Sequence, residues 1–193
     1  MLQITKAKKE HSPDLAYFIN LAGEGLPEYL WSQMAEGNTP AMEVGAQRAA
    51  REVGGFSYKN ARVRIVDNEL AGMVLAYRQD NPYEMSDISE YPDVVRPLVE
   101  LEAQAPGSWY INAIATREQY RRQGIGKRLM AYTEKEALTA GCASLSLIVA
   151  SENSHAKQLY ESLSFEVVDS RPVVLYPGCA HGGEWLLMIK VLN

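Results

Sequence analysis

The run Arg121-Arg122-Gln123-Gly124-Ile125-Gly126-Lys127 concentrates three cations and two glycines in seven residues. Arginine can grip a phosphate through two parallel N–H donors, and lysine adds a compact point charge. Glycine lets the backbone curl and come close to a ligand. If a helix opens at Ile125, its first N–H groups lack internal partners and sit at the positive end of the helix dipole. The chemistry expected of such a run is a pyrophosphate cradle at a helix N-terminus.

Three phosphate-binding patterns compete for it. The dinucleotide fingerprint needs a third glycine three residues after the second, where Leu129 stands. The Walker loop needs Gly-Lys followed by Ser or Thr and a glycine five residues earlier; Arg128 and Arg121 occupy those places. The third pattern is Gln/Arg, two residues, Gly, one residue, Gly/Ala, and Arg121, Gly124 and Gly126 fit it. Other chemistries find less. His11, His155 and His181 are scattered, with no His-Glu-x-x-His. Cys179 and His181 would supply two ligands, too few for a metal site, so no metal is expected. No Gly-x-Ser-x-Gly elbow is present.

The elements that must position the run follow from periodicity. Ser108 to Thr116 predicts the strand before it, with Trp109, Ile111, Ala113 and Ala115 facing one way and Tyr110, Asn112, Ile114 and Thr116 the other. Ile125 to Ala140 predicts the helix after it, ended by Gly141. The apolar stretch Ser144 to Val149 suits an interior strand, and a helix follows through about Leu163 with Asn153 as its N-cap, a cofactor contact, or both. Upstream, a short strand is expected at Gln3 to Lys6. A helix should begin at Ser12-Pro13, with Ser12 as cap and Leu15, Phe18, Ile19 and Ala22 on one face. Further helices are expected over Pro27 to Glu36, with Leu30 and Met34 on one side, and over Met42 to Val53. Ala61 to Val66 and Glu69 to Arg78 form a hairpin about a two-residue turn at Asp67-Asn68. Gln79 to Gly107 is long and polar, with a short helix near Val94 to Ala103. Glu166 to Leu175 and Trp185 to Val191 read as closing strands.

The ordered series resembles the GNAT superfamily of N-acyltransferases. That family carries a strand, the Arg/Gln-x-x-Gly-x-Gly/Ala loop, a helix, a second strand, and then an Asn, Ala, Tyr and Gly-Phe series. Asn153, Ala156, Tyr160 and Phe165 stand at the family spacing, with Ser164 where the family usually has glycine. The resemblance covers roughly residues 60 to 168. It implies an α/β fold with a mixed, mostly antiparallel central sheet splayed at the cofactor site and flanked by helices. It implies acetyl-CoA as cosubstrate, held by Ile114, Ala115 and Thr116 along the strand, by Arg121, Arg122, Gln123, Gly124, Ile125, Gly126 and Lys127 at the cradle, and by Asn153, Ala156 and Tyr160. Backbone groups of Ile114 and Thr116 are expected to pair with the pantetheine arm as an added strand would. Tyr160 is expected to be catalytic, donating a proton to the coenzyme A sulfur. Glu24 and Tyr29, with Glu28 and Trp31 nearby, are candidates for the acceptor pocket. Asn112 stands where some members place an acid, so the base is open among Glu24, Glu28, Glu100 and Glu102.

Composition agrees with one globular domain: 193 residues, 47% hydrophobic and 22% charged. A formal charge of -5 argues against bulk nucleic-acid binding and leans toward a cationic acceptor. Two cysteines make no disulfide framework, which suggests a cytoplasmic setting. Neither a signal peptide nor a membrane span is expected. The expected partner is a small-molecule or peptide amine, with a homodimer open. The main rival is a coenzyme A-binding sensor without turnover, and a nucleotide-binding protein is the third reading.

Overall fold

Hydrophobic alternation and helical periodicity generate a mixed α/β architecture. The computed structural model describes residues 3–85 and 87–192. Among them the strands are β1 (Ile4–Lys6), β2 (Ala61–Val66), β3 (Glu69–Arg78), β4 (Trp109–Thr116), β5 (Ser144–Ala150), β6 (Glu166–Pro172) and β7 (Glu184–Val191). The helices are α1 (Ser12–Ala22), α2 (Leu26–Met34), α3 (Ala41–Ala49), α4 (Arg96–Glu102), α5 (Ile125–Thr139) and α6 (Ser154–Ser162). The strands form an open, mostly antiparallel sheet in the order β1-β2-β3-β4-β5-β7-β6, in which β4 and β5 run parallel. No helix among the described residues is long and apolar enough to cross a membrane.

The chain divides into two compact units. The first comprises residues 1–77 and 112–135. Its core gathers Leu15, Phe18 and Ile19 of α1, Trp31 of α2, Val63 of β2, Met73 and Leu75 of β3, and Ala113 of β4. Asp67 and Asn68 turn the β2–β3 hairpin with φ of 48° and 65°, the left-handed pair that suits the strand twist. Gly72 of β3 admits the start of α5: a Cβ there would stand 2.8 Å from Ile125 Cγ2.

The second unit comprises residues 78–111 and 136–193. Here α4 packs Leu101, with Ala105 just beyond it, against Leu187 of β7, and Ile148, Trp185 and Ile189 close around them. Ser108 and Ser146 share a buried hydroxyl–hydroxyl hydrogen bond of 2.6 Å. The parallel pairing of β4 with β5 runs from Trp109↔Leu145 to Ile111↔Leu147.

Several boundaries and faces differ from the sequence expectation. Ser12 is the first residue of α1 rather than its cap. His11 holds the cap position, and the Ser12 hydroxyl donates to the Lys9 carbonyl at 2.6 Å. In α2 the buried positions are Leu26 and Trp31, while Met34 is exposed. The reason lies in α3: Gly45 leaves a seat for the Trp31 ring, and a Cβ there would fall 2.4 Å from it. That contact turns α2 by its largest apolar side chain and makes Trp31 a packing residue rather than a pocket residue. α3 ends at Ala49, before the expected Val53.

Candidate active site

The expected cradle begins with an anchored loop in the first unit. The Arg117 N–H donates to the Ala71 carbonyl at 2.9 Å, and its Nε donates to the Leu70 carbonyl at 2.8 Å. The same guanidinium pairs with Asp14 and lies 4.6 Å from the Tyr17 ring centroid and 5.3 Å from that of Phe18. Glu69 accepts from the Tyr120 hydroxyl at 2.9 Å and from Gln119 Nε2 at 3.1 Å. That bond raises the Tyr120 pKa, since it favours the phenol over the phenolate. The loop therefore leaves β4 tied to β3 and α1 before it reaches the glycines. Arg117→Ala should cost about 2 kcal/mol, because it strips a charge-assisted network from a half-buried site. A urea melt measures this, and an unchanged midpoint would show the anchor to be incidental.

Past the anchor the backbone turns through left-handed residues, Arg122 at φ 60° and Gly124 at φ 76°. The first α5 hydrogen bond runs from the Arg128 N–H to the Gly124 carbonyl at 3.1 Å. The N–H groups of Ile125, Gly126 and Lys127 precede that bond and have no acceptor within the helix. A Cβ built at Gly124 or at Gly126 meets no protein atom within 4 Å. The side chains of Arg121, Arg122, Gln123 and Lys127 are exposed, whereas Ile125 is buried and pins the helix start to the core. Donors, cations and room thus coincide at one helix end, which fits a doubly anionic pyrophosphate.

Along β4 the backbone direction can be worked out. The Ala115 carbonyl lies on the Gly72 side, and the Arg117 N–H reaches Ala71 of the same strand. Since backbone groups alternate sides along a strand, those of Ile114 and Thr116 point away from β3. The pairing of β4 with β5 has ended at Ile111 by then. Glu24 occupies the tight α1–α2 turn at φ 53°, and Tyr29 is half-buried on α2. Glu28 is engaged by Asn20, whose Nδ2 donates to it at 2.9 Å.

The second unit holds the rest of the expected residues. Asn153 caps α6, its side-chain oxygen accepting the Ala156 N–H at 3.1 Å. The cap reading of Asn153 therefore applies, and Ala156 takes part through its backbone. Tyr160 is buried on α6, its ring 6.0 Å from that of Phe165. Ser164 adopts φ 67°, the conformation that favours glycine at this turn.

One cluster escaped the sequence pattern. Glu102 closes α4, and the Tyr83 hydroxyl donates to its Oε2 at 3.1 Å, with Tyr110 of β4 a second hydrogen-bond partner. Burial pushes the Glu102 carboxyl above its ordinary range, and the two phenols only partly offset this. The phenol of Tyr83 is raised in turn, by burial first and then by Glu102. Glu100, two residues earlier, is committed to Arg171, whose Nε donates to it at 2.9 Å. Nothing in local spacing distinguishes the two glutamates; only the packing does. Among the described residues, no group of three or more His, Cys, Asp or Glu could hold a metal ion.

The fold, with its glycine-rich turn between β4 and α5, defines the class as a mixed α/β domain with an open, mostly antiparallel sheet. Residues 25–165 match the Acetyltransferase (GNAT) family, and the chain belongs to that family. Solved structures share the fold across the full length. An acetyltransferase superimposes with TM-score 0.67 at 20% identity, covering 99% of this chain and 100% of that one. An N-acetyltransferase from Staphylococcus aureus Mu50 gives 0.65 at 17% identity, covering 97% and 100%. The polyamine N-acetyltransferase of Drosophila melanogaster, which forms N-acetylagmatine, gives 0.72 at 13% identity, covering 100% of both.

Proposed function

We propose that this protein is an N-acetyltransferase that moves an acetyl group from acetyl-CoA to a primary amine by direct attack, without a covalent enzyme intermediate. The observation that carries the reading is the cradle: helix N–H groups with no acceptor inside the helix, exposed cations and two glycines whose side-chain positions meet no protein atom within 4 Å. Arg121 to Lys127 would hold the pyrophosphate, and Ile114, Ala115 and Thr116 the pantetheine amides. Asn153, Ala156 and Tyr160 would border the arm. When bound, acetyl-CoA supplies an activated thioester. A backbone N–H near Ile114 is suited to meet the developing oxyanion. Tyr160 is suited to protonate the departing sulfur, since a phenol of ordinary pKa near 10 carries its proton at neutral pH. Glu24 and Tyr29 remain the residues we assign to the acceptor side.

The family match includes residues of both units, which supports one catalytic domain. The free thiols of Cys142 and Cys179 support a reducing, cytoplasmic setting. The deciding experiment is a thiol-release assay with acetyl-CoA against a panel of amines, run beside calorimetric titration of coenzyme A. Release that depends on an amine supports the transferase. Tight binding with no release for any amine would replace it with the sensor, a reading kept by the amide of Asn112, which cannot accept a proton. ATP or NAD protecting the protein where coenzyme A does not would displace both.

A further inference from the structure

We propose that Arg64 and Arg128 form a binding site for a small oxyanion, a phosphate or a carboxylate, on the flank of α5 that faces β2. All of the residues concerned belong to the first unit. Arg64 stands in register between Ile4 of β1 and Gly72 of β3. Directly opposed residues share a face of the sheet, and Gly72 faces Ile125 at the start of α5. Arg64 therefore lies on the face that α5 enters, while its neighbour Val63 turns into the core on the other side. Ile4, Arg64, Ile125 and Arg128 together line a shallow depression there.

Two features of the side chains point to a ligand. The Arg64 Nε is shielded from solvent and meets no hydrogen-bond partner, although Nη1 of the same group donates to the Gln3 carbonyl at 3.3 Å. That bond leaves the Nε–Nη2 edge, the fork that takes a bidentate acceptor. The exposed Arg128 guanidinium has neither an ion pair nor a hydrogen bond among the described residues. Glu69, on the same strand as Gly72, is taken up by Tyr120 and Gln119.

Two like charges lining one hollow repel each other, and a shielded charged donor without an acceptor is costly. An oxyanion removes both penalties, accepting from the Arg64 fork and pairing with Arg128. Arg128 is exposed and held by no partner, so it can shift as the group enters. Ile4 and Ile125 supply apolar walls, which strengthen charge-assisted bonds beside them. The site is distinct from the cradle, which presents backbone N–H groups at the end of α5 where this one presents side chains on its flank. It stands whether or not the protein transfers acetyl groups.

The test is an NMR titration of the Arg64 Nε–Hε resonance, assigned by its absence from Arg64→Lys. The probes are inorganic phosphate and, separately, propionate, in a buffer holding no other oxyanion. A saturable shift is expected with a Kd of about 1 mM, and the tighter probe names the source of the ligand. Arg128→Ala, at an exposed position, should weaken that Kd about tenfold. Gly126→Val, which closes the cradle, should leave it within about twofold. A thermal melt in the Gly126→Val background gives a second readout: about 30 mM of the tighter probe should raise the melting temperature by a few degrees, and adding Arg64→Met should abolish the rise. No saturable shift from either probe up to about 50 mM, an equal Kd in Arg128→Ala, or the same thermal rise with Arg64→Met overturns the assignment. Loss of the response in Gly126→Val also overturns it, by placing the anion in the cradle instead.

Discussion

Gly126→Val should weaken coenzyme A binding by about a hundredfold or more while leaving the melting temperature nearly unchanged. The hydrogen of Gly126 faces room rather than protein: its Cβ would have no protein atom within 4 Å. The valine methyls would therefore crowd the pyrophosphate and nothing else. Blocking two charge-assisted N–H contacts forfeits about 3–6 kcal/mol, and each 1.4 kcal/mol is about tenfold in affinity. The fold itself loses nothing in helix propensity, since valine is better than glycine there by a few tenths of a kcal/mol. Gly124→Val should also abolish binding, but φ there is 76°, and a side chain in that region adds about 1–2 kcal/mol of strain. Gly126 is therefore the cleaner site, read by calorimetry beside a thermal melt. Wild-type affinity in Gly126→Val would remove the cradle and the function built on it.

Tyr160→Phe should lower kcat about 10²-fold or more while coenzyme A affinity changes little. Phenylalanine keeps the ring that lies 6.0 Å from Phe165, so the packing of α6 survives. It also keeps the backbone carbonyl that accepts the Phe165 N–H at 3.1 Å. What is removed is the proton offered to sulfur. Without it the thiolate must leave unprotonated or wait for water, and the loss should persist across the neutral range. The split between kcat and affinity separates this from a packing role, which would shift the melt instead. Equal turnover in both proteins at every pH would strip Tyr160 of the donor role.

Much of the architecture could be read along the chain because its signals are local. The Asp67-Asn68 hairpin, the strand Ala61–Val66 and the opening of α5 at Ile125 all fell where alternation, turn chemistry and glycine placed them. Misreadings occurred where a neighbour decided. The nine residues of α2 offer two apolar stripes, and only the seat at Gly45 selects the one bearing Trp31. Ser12 stands one residue inside its helix because the preceding 3-10 turn supplies a carbonyl at Lys9 for its hydroxyl. Asn153 is occupied as a cap, a role its position before a helix already suggested.

What the sequence by itself determined is the family and the glycine turn that opens α5, because glycine spacing, positive charge and a strand-to-helix switch are properties of consecutive residues. Tertiary structure alone decided which carboxyl is shielded. Glu100 and Glu102 are alike in type and two positions apart, yet one meets Arg171, 71 residues away, and the other meets Tyr83 and Tyr110. The anchor of Arg117 on Asp14, 103 residues away, is of the same kind. Desolvation and pairing depend on what packs across the gap, and no local pattern carries that information.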